Sequence, residues 1–399
     1  MKKSIPADQS SEGKQASGRD LRLDFFRGIA LFSIFIDHVD WNGIVAQFTL
    51  QSVGFSDAAE VFIFISGYTA GMVYGRAIEH RGLLRAAMRI YHRVWQLYVA
   101  HVFLFMQFMA TVAYLVDDLN NAIYVEEFRA ADFLKEPGVA VIKALTLQFQ
   151  PDFMDILPLY IVLLAVLPFV LVGFRLWPAG VLTASFGLWS AVQLNKSMAL
   201  AAYPGPHQVW FFNPFSWQAL FFLGAWCGWR GIKGGIPWLT NRWLFRLALA
   251  GAFAGFLIRF SWTLHWLYDP FPALFSKVLW PLQSKTNLSL LRFANMLVLA
   301  LLAARLIPPQ AECLTGRAAR PFVMCGRHSL HVFCLGILLS TIGRLVINEF
   351  LGGALLQCVV LAAGIAIMVG IAALMDWFNA EQNPSSPQVL RTSATDGGI

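Results

Sequence analysis

The sequence predicts an all-α, polytopic integral membrane protein with about ten transmembrane helices and both termini in the cytoplasm. Three observations carry that expectation. Of the 399 residues, 57% are hydrophobic and only 13% charged, about half the charged share of a soluble domain. Apolar runs of about 17–25 residues recur, the length a helix needs to cross roughly 30 Å of hydrocarbon. The runs are continuous rather than alternating, which argues against a β-barrel. With the N-terminus inside, the inward-facing segments hold 20 Lys and Arg and the outward-facing ones six, the bias that sets topology. The net charge of +7 is thus placed for membrane orientation, and no nucleic-acid partner is expected.

Taken in order, residues 1–20 have no apolar core ahead of a cleavage site and read as a cytoplasmic tail, not a signal peptide. Spans fall at about 23–43, 57–76, 95–116, 157–174, 179–194, 214–230, 243–262, 288–305, 328–347 and 353–376, so residues 21–378 form one transmembrane domain. Residues 379–399 lack an apolar face and read as a disordered cytoplasmic tail. The five cysteines show neither disulfide nor metal spacing, and no metal or bound cofactor is expected.

The first span, LRLDFFRGIALFSIFIDHVDW, is apolar yet carries Asp24, Arg27, Asp37, His38 and Asp40. Charged groups at membrane depth are costly and face protein or water. Arg27 and His38 are eleven positions apart, three turns plus about 20°, so they share a stripe of the helix about 16 Å long. A cation low on that stripe and a proton acceptor high on it can hold a long phosphate-bearing molecule end to end. Neutral imidazole is the usual general base near neutral pH. Asp37 points about 100° away from His38, so the carboxylate that orients His38 is expected from another helix. Glu60, in the second span at the same depth, is the best candidate. Gly67, Gly71 and Gly75 of that span form a small-residue ridge suited to close helix packing.

Beyond these, Arg81, Arg85, Arg89 and Arg93 form a basic stripe before the third span, suited to anionic lipid or to donor phosphates. Asp152 and Asp155 precede the fourth span; Asp155 can cap it or serve a substrate. Asn213, Trp217 and Gln218 open the sixth span and can meet sugar hydroxyls and rings. Arg259 and Arg292, at the outer ends of spans seven and eight, can hold the carboxylate of a transferred group or snorkel, the latter more for Arg292. Arg327 and His328 open the ninth span and suit a phosphate.

These residues resemble the membrane acyltransferase superfamily that modifies extracytoplasmic glycans. Its first-helix pattern, a basic residue, ten others and then histidine, reads here as LDFFRGIALFSIFIDH, and its second-helix pattern as VFIFISGY. QPDFMDILPLYIVLL, FNPFSWQALFFLGAWCG and GRHSLHVFCLGILLS are similar to the OpgC branch, succinyltransferases of osmoregulated periplasmic glucans. The resemblance implies a bacterial inner-membrane enzyme with succinyl-coenzyme A as co-substrate and a periplasmic glucan as acceptor. It also implies function at Arg27 and His38, with Glu60 and Asp155 in support. On that basis His38, Glu60 and Asp155 are expected to be catalytic. Arg27, Arg93, Arg327 and His328 are expected on the donor, Arg259 on the succinyl carboxylate, and Asp37, Asp152, Asn213, Trp217 and Gln218 on the acceptor. The competing expectation is a transporter or flippase of an anionic lipid or glycan, although no internal repeat supports it.

Overall fold

The computed structural model describes residues 19–40, 43–119, 131–205, 208–233, 235–309, 311–350 and 352–382. The expectations for residues 1–18 and for residues beyond 382 lie outside these described residues. Ten long helices are present among them: α1 (Leu21–Val39), α2 (Ala58–Arg81), α3 (Leu83–Leu119), α4 (Ile156–Leu176), α5 (Pro178–Leu194), α6 (Pro214–Ile232), α7 (Arg242–Leu267), α8 (Leu290–Leu306), α9 (Ser329–Glu349) and α10 (Ala354–Gln382). Shorter helices lie between them, including Pro137–Leu145 and Arg320–Arg327. α10 runs to Gln382, into the stretch expected to be tail.

Helix starts follow side-chain chemistry. Asp20, Asp57, Asn213 and Asn241 each accept a hydrogen bond from a first-turn backbone N–H, satisfying donors a helix leaves orphaned. Six helices, α2, α3, α4, α7, α9 and α10, are long and apolar enough to cross a membrane. That is fewer than the ten spans expected. α5 and α8 have only 17 residues each, α1 carries its charged stripe, and α6 holds polar and Trp residues among its apolar ones.

α2 lies at the centre and packs most extensively against α6. The two meet through glycine on both sides. A Cβ on Gly67 or Gly71 would lie 2.1 or 1.9 Å from the carbonyls of Phe221 and Ala225, and one on Gly228 would lie 2.0 Å from that of Tyr68. Only the absence of a side chain allows backbones this close. α1 is held likewise: Cβ atoms on Gly28 and Gly326 would stand 2.0 Å from the Phe322 carbonyl and 1.8 Å from the Asp24 carbonyl. Phe35, Ile63, Phe105, Leu164, Trp217 and Phe221 fill the core. α7 and α10 expose Leu247, Phe253, Leu355 and Val359 instead, an arrangement that suits lipid and not water.

Candidate active site

The first-span stripe survives folding and opens at its lower end into a cavity. α1 places Arg27 beside α2, where its guanidinium donates to the Thr69 hydroxyl at 2.8 Å. α3 contributes Arg93, and the short helix Arg320–Arg327 contributes Arg327. All three arginines line one cavity of about 210 Å³, together with Ser66, Tyr74 and Tyr160. The reciprocal glycine contact explains part of this: Gly28 and Gly326 are chain neighbours of Arg27 and Arg327 and draw their backbones together. The remaining donor candidate, His328, is held to one side, its Nε2 2.8 Å from Asp376 Oδ1. Arg327 Nη1 donates to the other Asp376 oxygen at 3.3 Å.

The upper end of the stripe is different. His38 is half-buried; its Nδ1 is enclosed and has no hydrogen-bond partner among the described residues. One face of its ring meets Phe153, with centroids 4.3 Å apart and planes tilted by 31°. Phe153 sits at φ +70°, a left-handed conformation that a non-glycine residue adopts only when its surroundings enforce it. On α9, Arg344 places its guanidinium carbon 5.6 Å from the centroid of that same ring. Asp37, next to His38, accepts from the buried Thr49 hydroxyl at 2.7 Å. His38 is not among the residues lining the arginine cavity, which extends to Phe62 and Leu157 near the starts of α2 and α4.

Glu60 does not orient His38. It is fully buried and takes a two-pronged ion pair from Arg292, at 2.6 and 3.0 Å. It also accepts from the Asp57 backbone N–H at 2.9 Å, closing a capping box at the start of α2. Arg292 therefore neither snorkels nor waits for a ligand: it also reaches Asp57 at 2.8 Å, where Lys285 joins at 2.8 Å. Lys285 and Arg292 together balance the paired carboxylates of Asp57 and Glu60. Sequence placed Glu60 at the depth of His38 and gave no sign of a cation 232 residues away.

Three acceptor candidates are likewise committed to the fold. Asn213 is wholly buried and donates to the Met198 carbonyl and Asn287 Oδ1 at 2.7 and 2.9 Å. The Trp217 indole donates to the Lys285 carbonyl at 3.0 Å. Gln218 bonds the Ser185 hydroxyl and carbonyl at 2.6 and 2.8 Å. All lie at the start of α6, where the 284–289 loop and α5 cover them. Arg259 is turned toward the α1–α2 connection, donating through Nε and Nη2 to the Gln51 carbonyl at 3.1 and 2.7 Å. Asp155 occupies the cap position of α4 without making the capping bond. With Asp152 it flanks the turn that presents Phe153.

A family model described as OpgC protein matches residues 19–380. The chain belongs to the OpgC family. No curated protein and no solved structure is matched. OpgC membership points to acyl transfer in glucan modification by a membrane protein, and so favours the acyltransferase expectation over the transporter. Within this OpgC protein, sequence reasoning missed Phe153, Arg344 and Asp376. Arg344 had a visible signal, a cation inside an apolar run, like Arg27. The left-handed turn at Phe153 had none.

Proposed function

We propose that this protein is a transmembrane O-acyltransferase that moves a succinyl group from cytoplasmic succinyl-coenzyme A to a glucose hydroxyl of a periplasmic glucan. The observation that carries the reading is the α1 stripe, with Arg27 sharing a cavity with two further arginines and His38 about 16 Å above it. At about 210 Å³ the cavity is smaller than the roughly 300–1,000 Å³ of a drug-sized ligand site. It suits a slender pantetheine arm, with the nucleotide and its phosphates left at the arginine end. The arm then passes Phe62 and Leu157 to bring the thioester to His38.

There the imidazole removes the proton from a glucan hydroxyl. The oxygen attacks the thioester carbonyl carbon, the carbon–sulfur bond breaks, and coenzyme A leaves inward as the thiol with the proton His38 took up. With Glu60 committed to Arg292, Asp155 is the carboxylate we assign to the support of His38. Single-step transfer is preferred because, among the described residues, no separate base is evident to activate the acceptor hydroxyl against an acyl-histidine in a second step.

The test uses purified protein in detergent, given succinyl-coenzyme A and glucan. Wild-type protein should release free thiol and form a succinyl ester, both dependent on the acceptor. His38→Ala and His38→Gln should each lower this rate by at least a hundredfold while eluting as folded protein. Unchanged turnover in either folded variant would remove His38 from the mechanism.

A further inference from the structure

The depth of Arg344 is fixed by two contacts between α9 and α1, which run side by side in the same direction. The Ser340 hydroxyl donates to the Phe35 carbonyl at 3.4 Å, and a Cβ on Gly343 would lie 3.4 Å from Val39 Cγ2. Arg344, the next residue, therefore stands level with His38 and Val39. The Phe153 ring meets both groups, its centroid 4.3 Å from that of His38 and 5.6 Å from the Arg344 guanidinium carbon. These distances keep the guanidinium carbon within about 10 Å of the imidazole centre. The strained Phe153 backbone thus presents a ring that touches both a base and a cation.

Lys285, Arg344 and Asp57 are among the charged groups whose field reaches His38. Lys285 is paired with Asp57 at 2.8 Å. Arg259 donates to the Gln51 carbonyl.

From this placement we propose that Arg344, seated on Phe153, is the specificity-determining residue that receives the distal carboxylate of the transferred acyl group. The site then selects the half-thioester of a short dicarboxylic acid over a neutral acyl chain. The proposal rests on the acyltransfer reading above. The lengths allow it: a base-to-hydroxyl hydrogen bond of about 3 Å, an attack distance of about 3 Å, three carbon–carbon bonds spanning about 4 Å and about 4 Å from carboxylate to guanidinium carbon make a path of about 14 Å, which bends at the attacked carbonyl to fit a separation of about 10 Å or less. A guanidinium fork is the group that pairs with a carboxylate through two parallel bonds.

The experiment compares succinyl- and acetyl-coenzyme A with one glucan, by thiol release and product mass, in wild-type protein, Arg344→Gln and Arg259→Gln. Wild-type protein should prefer the succinyl donor. Arg344→Gln should lower kcat/KM for succinyl-coenzyme A at least tenfold, leave acetyl-coenzyme A within twofold, and so collapse the preference. Arg259→Gln should keep the ratio. Arg344→Lys, which retains charge without the fork, should fall between, and it reads the same ratio should Arg344→Gln not be recovered folded. Equal losses on both donors, an unmoved ratio, or a ratio that collapses only in Arg259→Gln would overturn the assignment alone. No turnover of either donor by the wild-type protein would overturn the acyltransfer reading and this assignment with it.

Discussion

Arg27, Arg259, Arg292 and Arg344 each interrupt an apolar stretch of helix, and their neighbours divide them by use. Arg292 holds the fold, because its guanidinium is buried against Glu60 and Asp57. Removing one side of a buried pair leaves the other charge uncompensated, which costs about 3–5 kcal/mol. Arg292→Ala should therefore show a large fall in thermal stability in detergent. Coupling Arg292→Met to Glu60→Gln should recover much of it, since a neutral pair leaves no stranded ion; no recovery would mean that Asp57 and Lys285 carry the site. Arg27 instead meets a hydroxyl and a cavity, which suits an incoming anion. This division was half legible in the sequence. Helical spacing put Arg27 and His38 on one stripe, and the basic pattern brought out Arg93. Nothing local could tell that Glu60 and Arg292 face each other, because their pairing depends on how α2 and α8 come together.

At the scale of helices, the seam between α2 and α6 is made by absent side chains, and it predicts its own failure. Gly71→Leu would force carbons into the Ala225 carbonyl, already 1.9 Å from a bare Cβ. The variant should lose its monodisperse elution peak. Gly251→Ala is the control: it lies within α7, nothing stands within 4 Å of its Cβ position, and alanine is the better helix former by about 1 kcal/mol. That change should leave stability equal or slightly raised. The ridge of Gly67, Gly71 and Gly75 was legible from spacing alone, whereas its partner, 154 residues later, was not. Asn213, Trp217 and Gln218 show the opposite limit. Their position at a helix mouth was read correctly, but the 284–289 loop that roofs them has no counterpart in local sequence pattern.

For the whole molecule, helix positions were the most legible feature, because each rests on a long run of apolar residues and six of the ten long helices begin at Asp, Asn or Pro. The chain's orientation is open to direct measurement. Cys313 is exposed in the connection after α8, a segment that the distribution of basic residues places in the cytoplasm. In intact cells a membrane-impermeant maleimide should leave Cys313 unlabelled until the membrane is opened. Lys277→Cys, in a background with the native cysteines replaced, should react at once; the reverse pattern would invert the topology.

The close approach of Gly28 to the Phe322 carbonyl and of Gly326 to the Asp24 carbonyl has a consequence for what the donor cavity can accept. Side-chain walls can yield by changing rotamer, but here main chain abuts main chain directly beside Arg27 and Arg327. The two stretches of backbone from which the cations reach are held at one spacing, permitted by the lack of two methyl groups. One extra carbon at either glycine would push them apart and widen the arginine end of the cavity.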